Sequence, residues 1–239
     1  MAVFLSRKGF HGPTQILETA DGGFCRATSD QVDLSLATAE LGAKFLSGET
    51  NIKPYACCAS AHSAIDGVFE LKAKHWFLPS DVEKVVVKAS GVVQVQCGFP
   101  YKAVGVVEAQ MSLQLIVAVA ILEGAALLEQ FSEAKIKDPG VFDLARRVEI
   151  VVDSDMDALY PARYANKVEV ILKNGQRFET RIDFPRGSVE RPMTFTEVAE
   201  KFRSLASHAV TTERAEQIIE TVDKLETLDN IQQLTRLLG

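Results

Sequence analysis

A cation, a phenol, two thiols, a hydroxyl and an imidazole fall within ten consecutive residues, at positions 53–62. The stretch reads Lys53-Pro54-Tyr55-Ala56-Cys57-Cys58-Ala59-Ser60-Ala61-His62. A lysine ammonium such as that of Lys53 suits pairing with a carboxylate, and the His62 imidazole can give or take a proton near neutral pH. The stretch therefore predicts acid–base chemistry beside an anion site.

The local pattern predicts an extended segment that runs into a helix. Pro54 disfavours a helix through the first half and biases Lys53 toward extended geometry. We expect Ser60 near the N-cap and His62 in the first turn, where free N–H groups and the helix dipole favour a bound anion. Apolar and long side chains then follow at helical spacing, at Ile65, Val68, Phe69 and Lys72.

Each of these residues also has a purely structural interpretation. His62 could bond to the backbone at a helix start, Lys53 could be a solvated lysine, and Tyr55 could be a core aromatic with a satisfied hydroxyl. We expect Cys57 and Cys58 to be small buried residues, because no second histidine or acid stands at a usable spacing.

Composition excludes several classes of function. The 239 residues are 47% hydrophobic and 24% charged, with a net charge of −6 and no basic stripe, which argues against nucleic-acid binding. The longest apolar run, residues 115–122, is too short to span a bilayer. The four cysteines form neither a disulfide framework nor a zinc spacing, so we expect no metal and a reducing, cytoplasmic compartment.

The remaining chain alternates between helical and strand patterns. We expect a helix from Ser29-Asp30 to Gly48, a strand at 83–89 that residues 92–95 could extend, and a buried helix at 109–128. A strand follows at 148–152, and Asn174-Gly175 joins a hairpin of residues 167–172 and 177–182. A capping box at Thr194-Phe195-Thr196-Glu197 opens the C-terminal helices, which we expect at 194–205, 211–225 and 230–238.

These elements predict an α+β fold. We expect a central mixed α/β domain with a β-hairpin at 50–188, a helical segment at 1–49, and C-terminal helices at 189–239. The flanking helical segments carry more apolar side chains than so few helices can bury among themselves. We therefore expect them to belong to an incomplete all-helical domain.

Three separated stretches together resemble the MmgE/PrpD family, which includes 2-methylcitrate dehydratase and cis-aconitate decarboxylase. The first stretch contains Gly9-Phe10-His11-Gly12-Pro13, Ile16-Leu17-Glu18 and Gly23-Phe24. The second contains Lys53-Pro54-Tyr55, Cys58, His62 and Ala64-Ile65-Asp66. The third contains Ala109-Gln110-Met111-Ser112-Leu113 and, later in the chain, Asn174-Gly175, Pro185, Gly187 and Lys201-Phe202.

The resemblance covers only the C-terminal half of a family member and implies a site between two domains. It maps the catalytic histidine of the family's Lys-Pro-Tyr…His motif onto His62, and it makes Lys53 and Tyr55 substrate-binding residues. We also take Ser112 as a candidate for substrate binding, although a helix-capping role is the slightly favoured interpretation. Met111, Leu115 and Ile116 depart from the family pattern, which leaves the substrate open.

The resemblance implies a lyase, either a dehydratase or a decarboxylase, that acts on a small polycarboxylate without metal or organic cofactor. One alternative is a non-catalytic fragment, or a subunit of a split enzyme, that acts through dimerisation or partner binding. Another is an isomerase or epimerase of a similar acid. Expected partners are the substrate and either a second copy or a separately encoded helical half, with no nucleic acid and no membrane.

Overall fold

The computed structural model describes residues 1–102 and 104–239, which form two compact units. The N-terminal unit is residues 1–49 and the main unit is residues 50–239. Each is described separately below.

The N-terminal unit contains two short helices, α1 (Ala2–Arg7) and α2 (Phe24–Thr28), and 3₁₀ turns at Leu34–Ala37 and Leu46–Glu49. The helix predicted from Ser29-Asp30 to Gly48 is therefore wrong. Glu40 and Gly42 both adopt positive φ there, which interrupts a right-handed helix. Among residues 1–49, all of which are described, only Gly23 is buried, so no packed face stabilises a longer helix.

A four-stranded mixed sheet forms the centre of the main unit. Its strands lie in the order β2-β1-β3-β4, with β1 and β2 parallel and the other two pairs antiparallel. The predicted strands and the hairpin at Asn174-Gly175 are confirmed. The strands are β1 (Val82–Ala89), β2 (Val148–Val152), β3 (Asn166–Leu172) and β4 (Arg177–Ile182).

The main unit also carries nine helices within the described residues. They are α3 (His62–His75), α4 (Gly91–Cys97), α5 (Val106–Met111), α6 (Leu113–Glu123), α7 (Pro139–Ala145), α8 (Ser154–Asp157), α9 (Phe195–Ala206), α10 (Thr212–Asp223) and α11 (Gln232–Leu238). The predicted capping box is confirmed, because Thr194 Oγ1 accepts from Glu197 N and the Glu197 carboxylate accepts from Thr194 N.

Helix α3, which begins at His62, packs on β3, β4 and α6. Gly67 permits this close approach, because a Cβ there would lie 2.8 Å from Val168 Cγ2. Ile65, Val68 and Leu71 are fully or almost fully buried on α3. This packing holds His62 at the start of a rigid helix.

Two helix predictions need correction beside this core. Residues 92–95 belong to α4 and do not extend β1, because Ser90 Oγ accepts from Val93 N and starts a helix. The single helix predicted at 109–128 is two helices that meet at Ser112, where the backbone is extended. Helix α6 is buried nearly all round, as predicted, and ends at Gly124 with φ +68°.

The observed fold is therefore α+β, as predicted. Within the described ranges, no helix is both long enough and apolar enough to cross a membrane.

Candidate functional site

Backbone hydrogen bonds hold the segment before α3 in an extended path. Ile52 N donates to Gly187 O at 2.8 Å, Ala56 N to Ala126 O at 2.9 Å, and Cys58 N to Gln110 O at 2.9 Å. Because these acceptors lie far away in the chain, the segment is fixed by tertiary structure. The predicted change from extended segment to helix is confirmed.

The start of α3 differs in detail from the prediction. A 3₁₀ turn at Ala59–Ala61 precedes the helix, and the N-cap of α3 is Ala61, which has no side-chain cap. The Ser60 hydroxyl instead donates to Gln96 Oε1 at 2.6 Å. Ser60 thus lies next to the N-cap, as expected, but it does not cap the helix, because its hydroxyl binds Gln96 on α4.

One cavity of about 420 Å³, here called the larger cavity, opens beside this segment. Lys53 and Tyr55 line it from the extended segment, and Lys201 lines it from α9. Apolar and small side chains form most of the remaining wall. They include Pro54, Ala56, Val107, Met111, Leu127, Leu128 and Leu205.

The two lysines of the larger cavity bond to backbone carbonyls. Lys53 Nζ donates to Cys57 O at 3.3 Å, and Lys201 Nζ donates to Lys53 O at 2.5 Å. Neither lysine forms an ion pair with any described residue of the chain. Two positive charges without carboxylate partners at one cavity favour an anionic ligand.

Tyr55 is buried and belongs to a hydrogen-bond network. Its hydroxyl donates to Asp66 Oδ1, while Asp66 Oδ2 accepts from Arg186 N at 2.6 Å and from Arg191 Nη1 at 3.2 Å. Burial and the adjacent Asp66 carboxylate raise the pKa of Tyr55 far above its ordinary value. The phenol therefore keeps its proton at any working pH.

His62 is almost fully buried, with 3% of its surface exposed. Its ring meets the Tyr55 ring edge-on at 5.1 Å, and Nε2 has no hydrogen-bond partner among the described residues. Burial lowers the pKa of His62 to about 4, assisted by the Lys53 and Lys201 cations and opposed by a hydrogen bond with the Cys57 backbone. The imidazole is therefore neutral at pH 7.

His62 lines a second cavity of about 300 Å³, here called the smaller cavity. Lys53 lines both cavities, so it links the wall that carries His62 to the wall that carries Tyr55. The smaller cavity is more polar. Its lining includes Asn51, Arg163, Tyr164, Asp183, Arg186, Ser188 and Glu190.

Ser112 lies at the junction of α5 and α6. It is fully buried, and its hydroxyl oxygen accepts from Leu115 N at 3.5 Å as the cap of α6. Its neighbours Gln110 and Met111 line the larger cavity, and Ser112 lines neither cavity. The contacts support a capping role, and a role in substrate binding stays a prediction.

Sequence reasoning did not single out Lys201, Asp66 or Arg186 as site residues. Lys201 lies 148 residues from Lys53, so no local pattern connects the two. Asp66 carried a usable signal, because it is an acid between Ile65 and Gly67 on the apolar face of a helix.

The described parts of the chain contain no group of three or more His, Cys, Asp or Glu side chains arranged to hold a metal ion. The acidic turn at Asp153 serves a structural purpose. Asp153 Oδ1 accepts from Asp155 N and Met156 N, and its other oxygen pairs with Lys167.

Comparison with known proteins identifies the family. The MmgE/PrpD C-terminal domain matches residues 55–227. Cis-aconitate decarboxylase of Aspergillus terreus is 26% identical over 98% of this chain and 51% of its own length, and cis-aconitate decarboxylase of Homo sapiens is 28% identical over 99% and 50%. A 2-methylcitrate dehydratase-like protein, oryR of Aspergillus oryzae, is 32% identical over 47% of this chain and 24% of its own length.

The chain thus spans about half the length of the two decarboxylases. The matched domain begins at Tyr55, so it covers the start of α3 with His62 and also Lys201, but not Lys53. Because that match includes well over half of the chain, this protein belongs to the MmgE/PrpD family.

Proposed function

We propose that this chain provides the substrate-binding and proton-transfer wall of a lyase that acts on small polycarboxylates. The observation that carries the proposal is the pair Lys53 and Lys201, which line one cavity without carboxylate partners among the described residues. The names of the relatives, cis-aconitate decarboxylase and 2-methylcitrate dehydratase-like protein, are consistent with this substrate class.

In this proposal the lysines hold carboxylates and steady the charge that develops when a proton leaves the adjacent carbon. The neutral His62 takes that proton on Nε2, the nitrogen that lacks a partner among the described residues. In a dehydration the hydroxyl then leaves as water. In a decarboxylation no proton is removed first: carbon dioxide leaves, the broken C–C bond leaves its electron pair on carbon, and that carbon takes one proton from water by way of His62.

Tyr55 supports the same reaction by positioning. Its hydroxyl is committed to Asp66, so the ring is held rigidly between His62 and Phe69. A rigid wall keeps the reacting carbon close to His62 and correctly oriented. Such positioning raises the reaction rate.

The test is turnover by the purified chain. Cis-aconitate, citrate and 2-methylcitrate are supplied separately, and the absorbance of the unsaturated acid is followed. The proposal expects turnover of at least one acid, and a loss of about 100-fold or more in His62→Gln. Turnover that His62→Gln leaves unchanged would contradict the role of His62. Proton NMR in D₂O distinguishes a lyase from an isomerase, which exchanges hydrogen without losing water or carbon dioxide.

A second candidate function is partner binding, which the N-terminal unit favours. Phe4, Phe10 and Phe45 expose 66%, 66% and 73% of their surface there, which is typical of side chains that another polypeptide covers. Two partners are proposed: a second copy of the chain, and a separate helical half.

The test of that candidate adds the part of the Aspergillus terreus relative that lies outside the matched region. Turnover only after the addition supports a split enzyme. Stable association without turnover, by sedimentation velocity, supports a binding role alone. A chain that stays monomeric and does not bind the added half contradicts both the split-enzyme role and the binding role.

A further inference from the structure

The two cavities divide the charged and acid–base side chains of the proposed site between them. Lys201 lines the larger cavity but not the smaller one, and His62 lines the smaller cavity but not the larger one. Among the described residues, Lys53 is the one residue that lines both cavities. A substrate that is held by Lys201 and exchanges a proton with His62 must therefore extend past Lys53 from one cavity into the other.

Arg163 offers a positive charge to the part of a substrate that enters the smaller cavity. Its guanidinium carbon lies 4.9 Å from the centroid of the Phe184 ring, and this cation–π contact holds the guanidinium over the ring. Toward the described residues the guanidinium uses one donor, Nη1, which bonds to Asp183 Oδ2 at the long distance of 3.4 Å. A guanidinium carries five N–H donors, so a fork that matches a carboxylate stays available.

The other charged side chains of the smaller cavity leave this positive charge uncancelled. Asp183 Oδ1 accepts from Arg181 Nε at 2.5 Å, and Arg181 lines neither cavity, so that carboxylate is neutralised from outside. Glu190 also lines the smaller cavity, but it is exposed and water screens its charge. Arg186 is already paired with Glu197. The charges that remain for a ligand are those of Lys53 and Arg163.

Buried polar atoms make the smaller cavity suitable for a polar ligand. Ser188 lines it and is 6% exposed, and its hydroxyl oxygen accepts from Arg191 N at 3.2 Å. The proton of that hydroxyl has no acceptor among the described residues, and His62 Nε2 has no donor among them. Since buried polar groups are normally hydrogen-bonded, these atoms favour a ligand that carries oxygen atoms.

We propose that the smaller cavity is a carboxylate subsite, in which the Arg163 guanidinium binds one carboxylate of the substrate while Lys53 and Lys201 bind another. This inference rests on the proposed lyase function and deepens it. The reacting carbon then lies between the two carboxylates, beside Lys53 and facing His62.

The subsite makes Arg163 a residue that determines substrate specificity. An acid with carboxylates toward both ends satisfies Arg163 in one cavity and Lys201 in the other. An acid with an uncharged end leaves one of these cations without a partner, and it also loses a charge-assisted hydrogen bond. The proposed substrate class is therefore narrowed to acids whose carboxylates are separated along the carbon chain.

Calorimetry of the full chain with two unreactive acids tests the subsite. Tricarballylate has a carboxylate at each end, and ethylsuccinate is the same acid with one terminal carboxylate replaced by a methyl group. We expect the wild type to bind tricarballylate about tenfold more tightly than ethylsuccinate. In Arg163→Met the two acids should bind with the same affinity, because the additional carboxylate no longer has a receptor.

Two further variants separate recognition by Arg163 from a structural effect. Arg181→Met is the matched control, because Arg181 also pairs with Asp183 but lines neither cavity, and it should keep the tenfold preference. Arg163→Lys keeps the charge but lacks the fork, so it should keep only part of the preference. Circular dichroism shows whether each variant is folded. If Arg163→Met does not fold, Arg163→Lys and the wild-type preference decide the outcome.

The possible failures of the subsite and of the proposed function are distinct. Equal binding of the two acids by the wild type overturns the subsite, as does a preference that folded Arg163→Met retains or that Arg181→Met abolishes. In each of these cases the proposed function stands if Lys53→Met and Lys201→Met still weaken the binding of tricarballylate. Absence of saturable tricarballylate binding in the wild type overturns both the subsite and the carboxylate site at the lysines.

Discussion

The Tyr55 hydroxyl donates to the buried Asp66 carboxylate, and that bond joins the cavity wall to the first turns of α3. The other Asp66 oxygen accepts from Arg186 N and Arg191, so the same carboxylate also anchors the segment after β4. Asp66 therefore positions both Tyr55, which lies beside His62, and the segment after β4, which supports Lys53.

Replacement of Tyr55 by phenylalanine tests that network. It removes a donor to a buried carboxylate, which costs about 1–3 kcal/mol of unfolding free energy. Tyr101→Phe is the control, because that hydroxyl donates to the neutral Ile136 carbonyl at 2.8 Å and is less buried. Urea unfolding should show the larger loss in Tyr55→Phe. Equal losses of unfolding free energy in the two variants would mean that the negative charge of Asp66 does not strengthen its hydrogen bond with Tyr55.

Gly187 holds the extended segment in place. It has φ +84°, and a Cβ there would lie 2.0 Å from Ile52 O. Gly175 in the hairpin has φ +87° but open space around it. Gly175→Ala should therefore lose only the conformational cost of about 1 kcal/mol. Gly187→Ala should lose more, because the Ile52 backbone must move away.

The measurement for this pair is urea unfolding, with hydrogen exchange at the Ile52 amide as a local readout. That amide donates to Gly187 O at 2.8 Å, so Gly187→Ala should speed its exchange and Gly175→Ala should not. Similar unfolding free energies and similar exchange of the Ile52 amide in the two variants would show that the Ile52 backbone moves away without a loss of stability.

His62 predicts a specific pH dependence of stability. Its pKa is about 4 in the folded chain against 6.5 in an unfolded chain, so the folded state binds fewer protons between these values. The stabilisation is complete above about pH 6.5 and falls as the pH drops toward 4, by about 3 kcal/mol in total. Below pH 4 it falls no further.

The check is the difference in unfolding free energy between wild type and His62→Gln across pH 4–7. Subtraction removes the other titrating groups, and the difference should shrink as the pH falls through this window. His208→Gln replaces a histidine at an exposed site and serves as the matched control variant. A flat difference for His62→Gln would mean that burial does not disfavour the imidazolium.

Ser112→Ala separates capping from substrate binding. Loss of the cap on α6 should cost about 1 kcal/mol of unfolding free energy. Ser90→Ala, which removes the corresponding cap of α4, should cost a similar amount. Unfolding measured with and without a bound tricarboxylate should show equal ligand stabilisation in Ser112→Ala and wild type. A selective loss of ligand stabilisation in Ser112→Ala would assign the residue to the substrate site.

Sequence patterns predicted the sheet well because its signals are local. The alternation of Val168, Val170 and Leu172 and the Asn174-Gly175 turn both depend on neighbouring residues. The helix predicted to end at Gly48 failed because apolar spacing stabilises a helix only where a partner surface buries it. The break at Ser112 was missed because its flanks are equally apolar.

The site was predictable only in its contiguous part. Lys53, Tyr55 and His62 share a short stretch, whereas Lys201 reaches the Lys53 carbonyl from α9 through tertiary packing alone. Patterns of residue type also could not show that Cys58 and Cys57 differ in burial and ionisation. The burial that raises the pKa of Cys57 arises from tertiary packing.

The most direct test of the proposed function is equilibrium binding of tricarballylate, a tricarboxylate that cannot react, to the full chain by calorimetry. We expect saturable binding that weakens with salt and falls about tenfold or more in Lys53→Met and in Lys201→Met. Lys173→Met, a lysine that lines neither cavity, is the matched control and should bind as wild type does. Absence of saturable binding, or equal weakening by Lys173→Met, would contradict a carboxylate site at these lysines.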